Sequence, residues 1–198
     1  MQNKELYEKL YELQTACNAH TNITRITSRE DFYLKHIEDS LALLPFIAKT
    51  GARLIDIGTG AGYPGIPLAA ERPDLQVTLN DATLKKVKYL QAVVTELPLP
   101  NARAVWERAE KLSGQKEYKG QYDFVTVRAV ADIQELIQLS APFLRTGGKA
   151  LFMKAKNTET EIAAAGRTAQ KNKMVLAEVH KYRLAEMDRA IVVYVKKG

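Results

Sequence analysis

The stretch that most constrains this chain is Arg53–Gly65, Arg-Leu-Ile-Asp-Ile-Gly-Thr-Gly-Ala-Gly-Tyr-Pro-Gly. Leu54, Ile55 and Ile57 form a short apolar run, which reads as a buried strand. Gly58, Gly60 and Gly62 follow at a spacing of two. Glycine permits positive φ and lets a ligand come close to the backbone. Pro64 and Pro67 suit the first turn of a helix, where a missing N–H costs little. Strand, glycine turn and helix together open a doubly wound nucleotide-binding unit.

Two carboxylates select the ligand. Gly60-x-Gly62-x-x-Gly65 also matches a dinucleotide fingerprint, but Asp56 stands at the strand end just before the turn. A carboxylate there repels a pyrophosphate and suits a ligand with positive charge, such as S-adenosylmethionine with its ammonium and sulfonium groups. No Gly-Lys-Ser/Thr closes the loop, so the Walker pattern is absent. Asp81 lies 19 residues beyond Gly62, after Val77-Thr78-Leu79, where an acidic residue accepts hydrogen bonds from ribose hydroxyls.

The length of 198 residues fits one domain, and 46% apolar residues suffice for a sizeable core. Cys17 is the single cysteine, which excludes an internal disulfide and points to a reducing compartment. With no secretory segment and no apolar run near 18 residues, a cytoplasmic protein without membrane contact is expected; a monomer is the working expectation, which the sequence itself leaves open. The net charge of +6 favours a polyanionic partner, nucleic acid foremost. His20, His36 and His180 show no metal-ligand spacing, so no metal is expected.

Leu6, Leu10, Leu13 and Cys17 predict an amphipathic helix over 3–19. Ser28-x-x-Asp31 is a capping signal for a second helix over about 30–47, with a stripe of Leu34, Ile37, Leu41 and Leu44. His36, Asp39 and Ser40 fall on the opposite side by the 100° rule. Such a cluster either binds a ligand or, more commonly, forms a solvated face or ties the helix to a loop. Strands are predicted at 54–57, 76–80, 102–107, 122–127, 148–154, 175–184 and 190–196, and helices at 64–71, 83–96, 132–141 and 158–172. Alternating strands and helices give an α/β fold with a mostly parallel, seven-stranded sheet. The last two strands lack an intervening helix and should pair antiparallel. Residues 1–48 form a helical extension, and 49–198 form the main domain.

This layout resembles the class I S-adenosylmethionine-dependent methyltransferases, a Rossmann-like fold with one antiparallel strand near the edge. More narrowly, Asn22-Ile-Thr24, His36-Ile-Glu-Asp39-Ser40-Leu41, Asp56 through Pro67, Asp81, Arg108-Ala-Glu110, Arg128-Ala129 and Lys154 resemble the bacterial small-subunit ribosomal RNA methyltransferase G family, also called glucose-inhibited division protein B. The resemblance implies formation of 7-methylguanosine in 16S ribosomal RNA, with the RNA or the small ribosomal subunit as partner. It places cofactor contacts at Gly58, Tyr63, Ala109, Glu110 and Arg128. Asp56, Gly60 and Asp81 follow from the broader methyltransferase pattern. Tyr63 stands where leucine is usual, and Ala109 where valine is common.

Guanine N7 has an in-plane lone pair and no proton, so its methylation needs orientation rather than a general base. In agreement, no Asn/Asp-Pro-Pro-aromatic motif and no Pro-Cys nucleophile is present. Arg128 and Lys154 end adjacent predicted strands and are the catalytic candidates: Arg128 to orient cofactor or base, Lys154 to meet O6 or a phosphate. Alternatively, each pairs with a nearby carboxylate. Lys85, Lys86, Lys88, the Lys111–Lys119 loop, Lys154 and Lys156 are candidate phosphate contacts. Two other classes stay open: a dinucleotide-dependent oxidoreductase or nucleotide-binding regulator, and an inactive RNA-binding module.

Overall fold

The computed structural model describes residues 3–128, 131–155 and 158–198. Its framework is a seven-stranded sheet in the order β3-β2-β1-β4-β5-β7-β6. The strands are β1 (Arg53–Ile57), β2 (Gln76–Asp81), β3 (Ala102–Trp106), β4 (Tyr122–Arg128), β5 (Leu144–Lys154), β6 (Met174–Leu184) and β7 (Met187–Lys196). β1 to β5 run parallel, because helices cross between them, whereas β7 is antiparallel to both β5 and β6. Ala185 and Glu186 make the final turn, with Ala185 at a φ of 49°.

Side-chain alternation gives the sheet two buried faces. Leu54, Leu79, Phe124, Leu151 and Met153 pack into one cluster with residues of the N-terminal helices and of α4 (Gly65–Glu71) and α5 (Leu84–Glu96). Ile55, Val125, Val127, Ala150 and Phe152 form the other. That cluster includes side chains of α6 (Ala109–Leu112), α7 (Ile133–Ser140) and α8 (Thr158–Lys171). The four-residue α6 is the one helix the sequence pattern does not signal.

The N-terminal segment departs from expectation. α1 (Lys4–Thr21) ends where Asn22 turns to a φ of 47° and Asn18 Oδ1 accepts from the backbone N–H groups of Ile23 and Thr24. Ser28 caps the next segment as expected, accepting from the Asp31 N–H. The predicted continuous helix over 30–47 is instead broken. It comprises α2 (Arg29–Asp31), a π-helical stretch Phe32–Glu38, α3 (Asp39–Leu41) and a 3₁₀ turn Leu44–Phe46. In the wider turn the Asp39 N–H reaches back five residues to the Leu34 carbonyl. This moves the helix off the 100° pattern. Phe32, His36, Ile37, Asp39 and Ser40 become buried, while Leu34, Leu41 and Leu44 stay partly exposed. The polar cluster is therefore no solvated face.

Candidate cofactor and substrate site

The glycine loop sits at the carboxyl ends of β1 and β2, where open α/β sheets receive ligands. Its φ angles at Gly58, Gly60 and Gly62 are +64°, +64° and +102°. Gly62 is also sterically closed, since a Cβ there meets Ile66 Cδ1 at 2.2 Å. At Gly60 a Cβ meets nothing nearer than the Gly58 carbonyl at 4.0 Å. The loop thus turns an open glycine surface outward, a cradle suited to close approach by a ligand.

Asp56 organises that loop from beneath. Its Oδ2 accepts from the Thr59 hydroxyl at 2.5 Å and the Gly65 N–H at 2.8 Å, and its Oδ1 accepts from the Thr126 hydroxyl at 3.0 Å. The side chain has no solvent exposure. Burial pushes its pKa up from 3.8 to about 6 against the pull of the three hydrogen bonds. The expectation that Asp56 faces a cationic ligand is corrected: the carboxylate is enclosed by its own loop.

Asp81 stands as the sequence places it, at the end of β2. Its Oδ2 accepts from the Gly60 N–H at 3.0 Å, its Oδ1 accepts from the Thr83 N–H at 2.8 Å, and Lys86 Nζ lies 3.6 Å away. A carboxylate has about four acceptor positions, so capacity remains for ribose hydroxyls. Asn80 is an unanticipated support. Its side-chain amide donates to the Val105 and Glu107 carbonyls while its backbone carbonyl accepts from the Thr59 N–H. It locks the ends of β2 and β3 to the loop and so fixes the approach to α6. Ala109 begins α6 and is buried; Glu110 beside it is exposed. Both lie on the same carboxyl edge as the loop.

Tyr63 faces away from the open loop. Its hydroxyl donates to Gln14 Oε1 of α1 at 2.8 Å, its ring stacks on His36 with centroids 3.9 Å apart, and only 2% of it is exposed. The Tyr63 side chain thus clamps the loop to the N-terminal helices, which leaves its backbone as the part that a cofactor could meet.

Arg128 ends β4 on the same sheet face as Tyr63. It donates to the Lys35 carbonyl at 2.7 Å and to His36 Nδ1 at 3.1 Å, and it lies 3.6 Å from Asp39 Oδ2. Burial lowers its pKa while the Asp39 carboxylate raises it. Asp39 also accepts from the Tyr182 hydroxyl at 2.7 Å and lies 3.5 Å from Arg189. His36 is held neutral, its pKa lowered to about 3 by burial and by the Arg128 charge. Its Nε2 is left to pair with the Thr24 hydroxyl at 3.3 Å.

Lys154 does not join Arg128. Arg128 is opposite Met153 in the β4–β5 register, so Lys154, one residue on, points to the other face. There it forms an ion pair with Glu161 at 2.7 Å and donates to the Ala131 carbonyl at 2.9 Å. Glu161 also accepts from the Ile133 N–H. The expectation of a free cation for O6 or phosphate is corrected: Lys154 holds the chain after β4 against α8. Lys85, Lys88, Lys111, Lys116 and Lys119 are exposed, and Lys86 is half-buried beside Asp81. Ala129 and Lys156 lie outside the described residues. Among the described residues no group of three or more His, Cys, Asp or Glu is placed to hold a metal, and no helix is long and apolar enough to cross a membrane.

The family model for rRNA small subunit methyltransferase G matches residues 3–192. The ribosomal RNA small subunit methyltransferase G of Streptococcus pneumoniae (strain ATCC BAA-255 / R6) is 42% identical over 166 residues, covering 83% of this chain and 70% of that protein. The same-named protein of Carboxydothermus hydrogenoformans is 38% identical over 194 residues, 97% of this chain and 83% of that one. Among solved structures, a SAM-dependent methyltransferase from Aquifex aeolicus superposes with a TM-score of 0.66 at 14% identity, covering 88% of this chain and 97% of its own. A 16S rRNA (adenine(1408)-N(1))-methyltransferase variant from Catenulisporales acidiphilia gives 0.63 at 13% identity, covering 80% and 91%. At these identities the solved structures establish the fold alone.

Proposed function

Because the chain belongs to the rRNA small subunit methyltransferase G family, whose members use S-adenosylmethionine, we propose that it methylates N7 of one guanine in 16S ribosomal RNA. The open glycine cradle and the spare acceptor capacity of Asp81 fit that cofactor. Gly58, Gly60, Asp81, Ala109 and Glu110 hold it, and Asp56 acts indirectly by shaping the loop. Bound there, the cofactor supplies an electrophilic methyl group on a sulfonium centre.

The protein's task is then to orient the base and keep water out. The observation that carries the N7 reading is at the end of β4, where a guanidinium stands and no general base does. Arg128 has five N–H donors, two of them used on Lys35 and His36. A remaining donor can meet an acceptor on the guanine edge, leaving N7 unprotonated and free to attack. His36, neutral and bonded at both ring nitrogens, takes no proton. Lys154 positions the segment after β4 rather than touching the base. The substrate partner is 16S ribosomal RNA or the small subunit, and the enzyme works as a monomer in the cytoplasm.

The test uses methyl-labelled S-adenosylmethionine with small ribosomal subunits from cells lacking this protein, followed by nucleoside analysis. Label in 7-methylguanosine at a single 16S position is the expected result. Label in any other nucleoside overturns the N7 assignment.

A further inference from the structure

At the end of β3 stands Trp106, the chain's single tryptophan. It is 57% exposed, more than any other large hydrophobic side chain among the described residues. The ring is not free to swing, because its Nε1–H donates to the Ala82 carbonyl at 3.1 Å. In the β2–β3 register Trp106 is opposite Asp81, whose carboxylate holds Gly60 of the cofactor cradle. β3 is a terminal strand, so the ring projects at the sheet's edge on its ligand-binding end. Leu84, at the start of α5, is the second exposed apolar residue there, at 40%. Lys85 and Lys88, one and four residues after Leu84, and Arg108, two residues after the ring, are all exposed.

An exposed aromatic ring held in one orientation before binding is prepared to stack on a flat partner. A protein partner or a second copy of the chain calls for a larger continuous apolar patch with few charges at its centre. Here there are two apolar side chains, with exposed cations close to each along the chain. That combination matches unpaired nucleic acid, whose bases stack on aromatic rings while its phosphates meet lysine and arginine. The cleft on the other side of the site, near Glu110, Asp132 and Glu135, is acidic and unsuited to a polyanion.

We propose that Trp106 is a stacking platform for an unpaired base of the RNA substrate outside the methylation site, with Lys85, Lys88 and Arg108 meeting the adjacent phosphates. The inference rests on the rRNA reading above. The ring is held in place before binding, so stacking orders little that was loose. The platform serves substrate capture rather than the chemical step.

The experiment compares wild type, Trp106→Ala and Trp106→Phe in steady-state methylation of small ribosomal subunits, with S-adenosylhomocysteine affinity measured by calorimetry and mass by sedimentation. Trp106→Ala is expected to raise KM for the subunits about tenfold, leave kcat within about twofold and leave S-adenosylhomocysteine affinity unchanged; Trp106→Phe should recover most of the loss. An unchanged KM overturns the platform. So does an equal loss of S-adenosylhomocysteine affinity, which makes Trp106 a cofactor residue. So does a wild-type dimer that Trp106→Ala splits, which makes the patch an interface between copies. Wild type that binds S-adenosylhomocysteine but methylates no subunits overturns the rRNA reading, and the platform with it.

Discussion

Replacing Asp56 by asparagine should stabilise the protein in a pH-dependent way. The fully buried carboxyl titrates near 6 instead of 3.8. At about 1.4 kcal/mol for each tenfold change in proton affinity, ionised Asp56 costs the fold about 3 kcal/mol at alkaline pH. The sign follows from proton binding. Between 3.8 and about 6 the folded state holds the proton that the unfolded state has lost, so stability falls as pH rises through this window and is level above it. Roughly half the effect, on the order of 1.4 kcal/mol, falls between pH 5 and pH 8. Asparagine keeps most of the hydrogen bonding. Its oxygen can accept from Thr59 and Gly65, and its NH₂ can donate to a reoriented Thr126 hydroxyl. Urea unfolding of wild type and Asp56→Asn at pH 5, 6, 7 and 8 should show the variant gaining on wild type by about that amount as pH rises. A difference that stays flat across the series refutes the burial argument.

Arg128→Ala leaves the Asp39 carboxylate, 5% exposed, with only Tyr182 and Arg189. Urea unfolding should show a loss of about 3 kcal/mol, partly recovered by adding Asp39→Asn. Tyr63→Phe strips the donor from buried Gln14 and should cost about 1–2 kcal/mol by the same measurement. Lys154→Met leaves Glu161 without its cation, so stability should fall by about 1–2 kcal/mol while S-adenosylhomocysteine affinity holds. Lost turnover at undiminished stability would instead make Lys154 a substrate contact. His36 should stay unprotonated in an NMR titration from pH 8 to pH 5, since its pKa lies near 3. The unfolded chain takes up that proton from about 6.5 downward, so stability is lost toward acid pH.

The sheet was legible because each strand is an apolar run bounded by turn residues, and because the last two runs have no room for a helix between them. Strand ends were less so: β5 starts at Leu144, and Gly147-Gly148 within it reads as a turn. The four residues of α6 are too few to show a period. The glycine loop and Asp81 were legible because one local stretch carries the whole motif. What stayed hidden depends on contacts across the chain. No sequence period reveals a five-residue backbone reach, so the burial of His36, Asp39 and Ser40 followed only from the π-helical stretch. That Lys154 and Arg128 point to opposite faces needs the β4–β5 register. That Tyr63 turns inward depends on Gln14, 49 residues earlier.

Asp39 joins parts of the chain made at very different times. Its bond to Tyr182 spans 143 residues, and its partner Arg189 comes later still. Residue 39 is synthesised well before residues 182 and 189, so this carboxylate must wait for the β6–β7 hairpin before it has its full set of partners. Until then Asp39 and Arg128 cannot both be buried at low cost, so the guanidinium at the end of β4 has no settled position. Settlement of the site is thus tied to docking of the β6–β7 hairpin: until that hairpin has paired with β5, the Arg128–Asp39 arrangement lacks two of its partners.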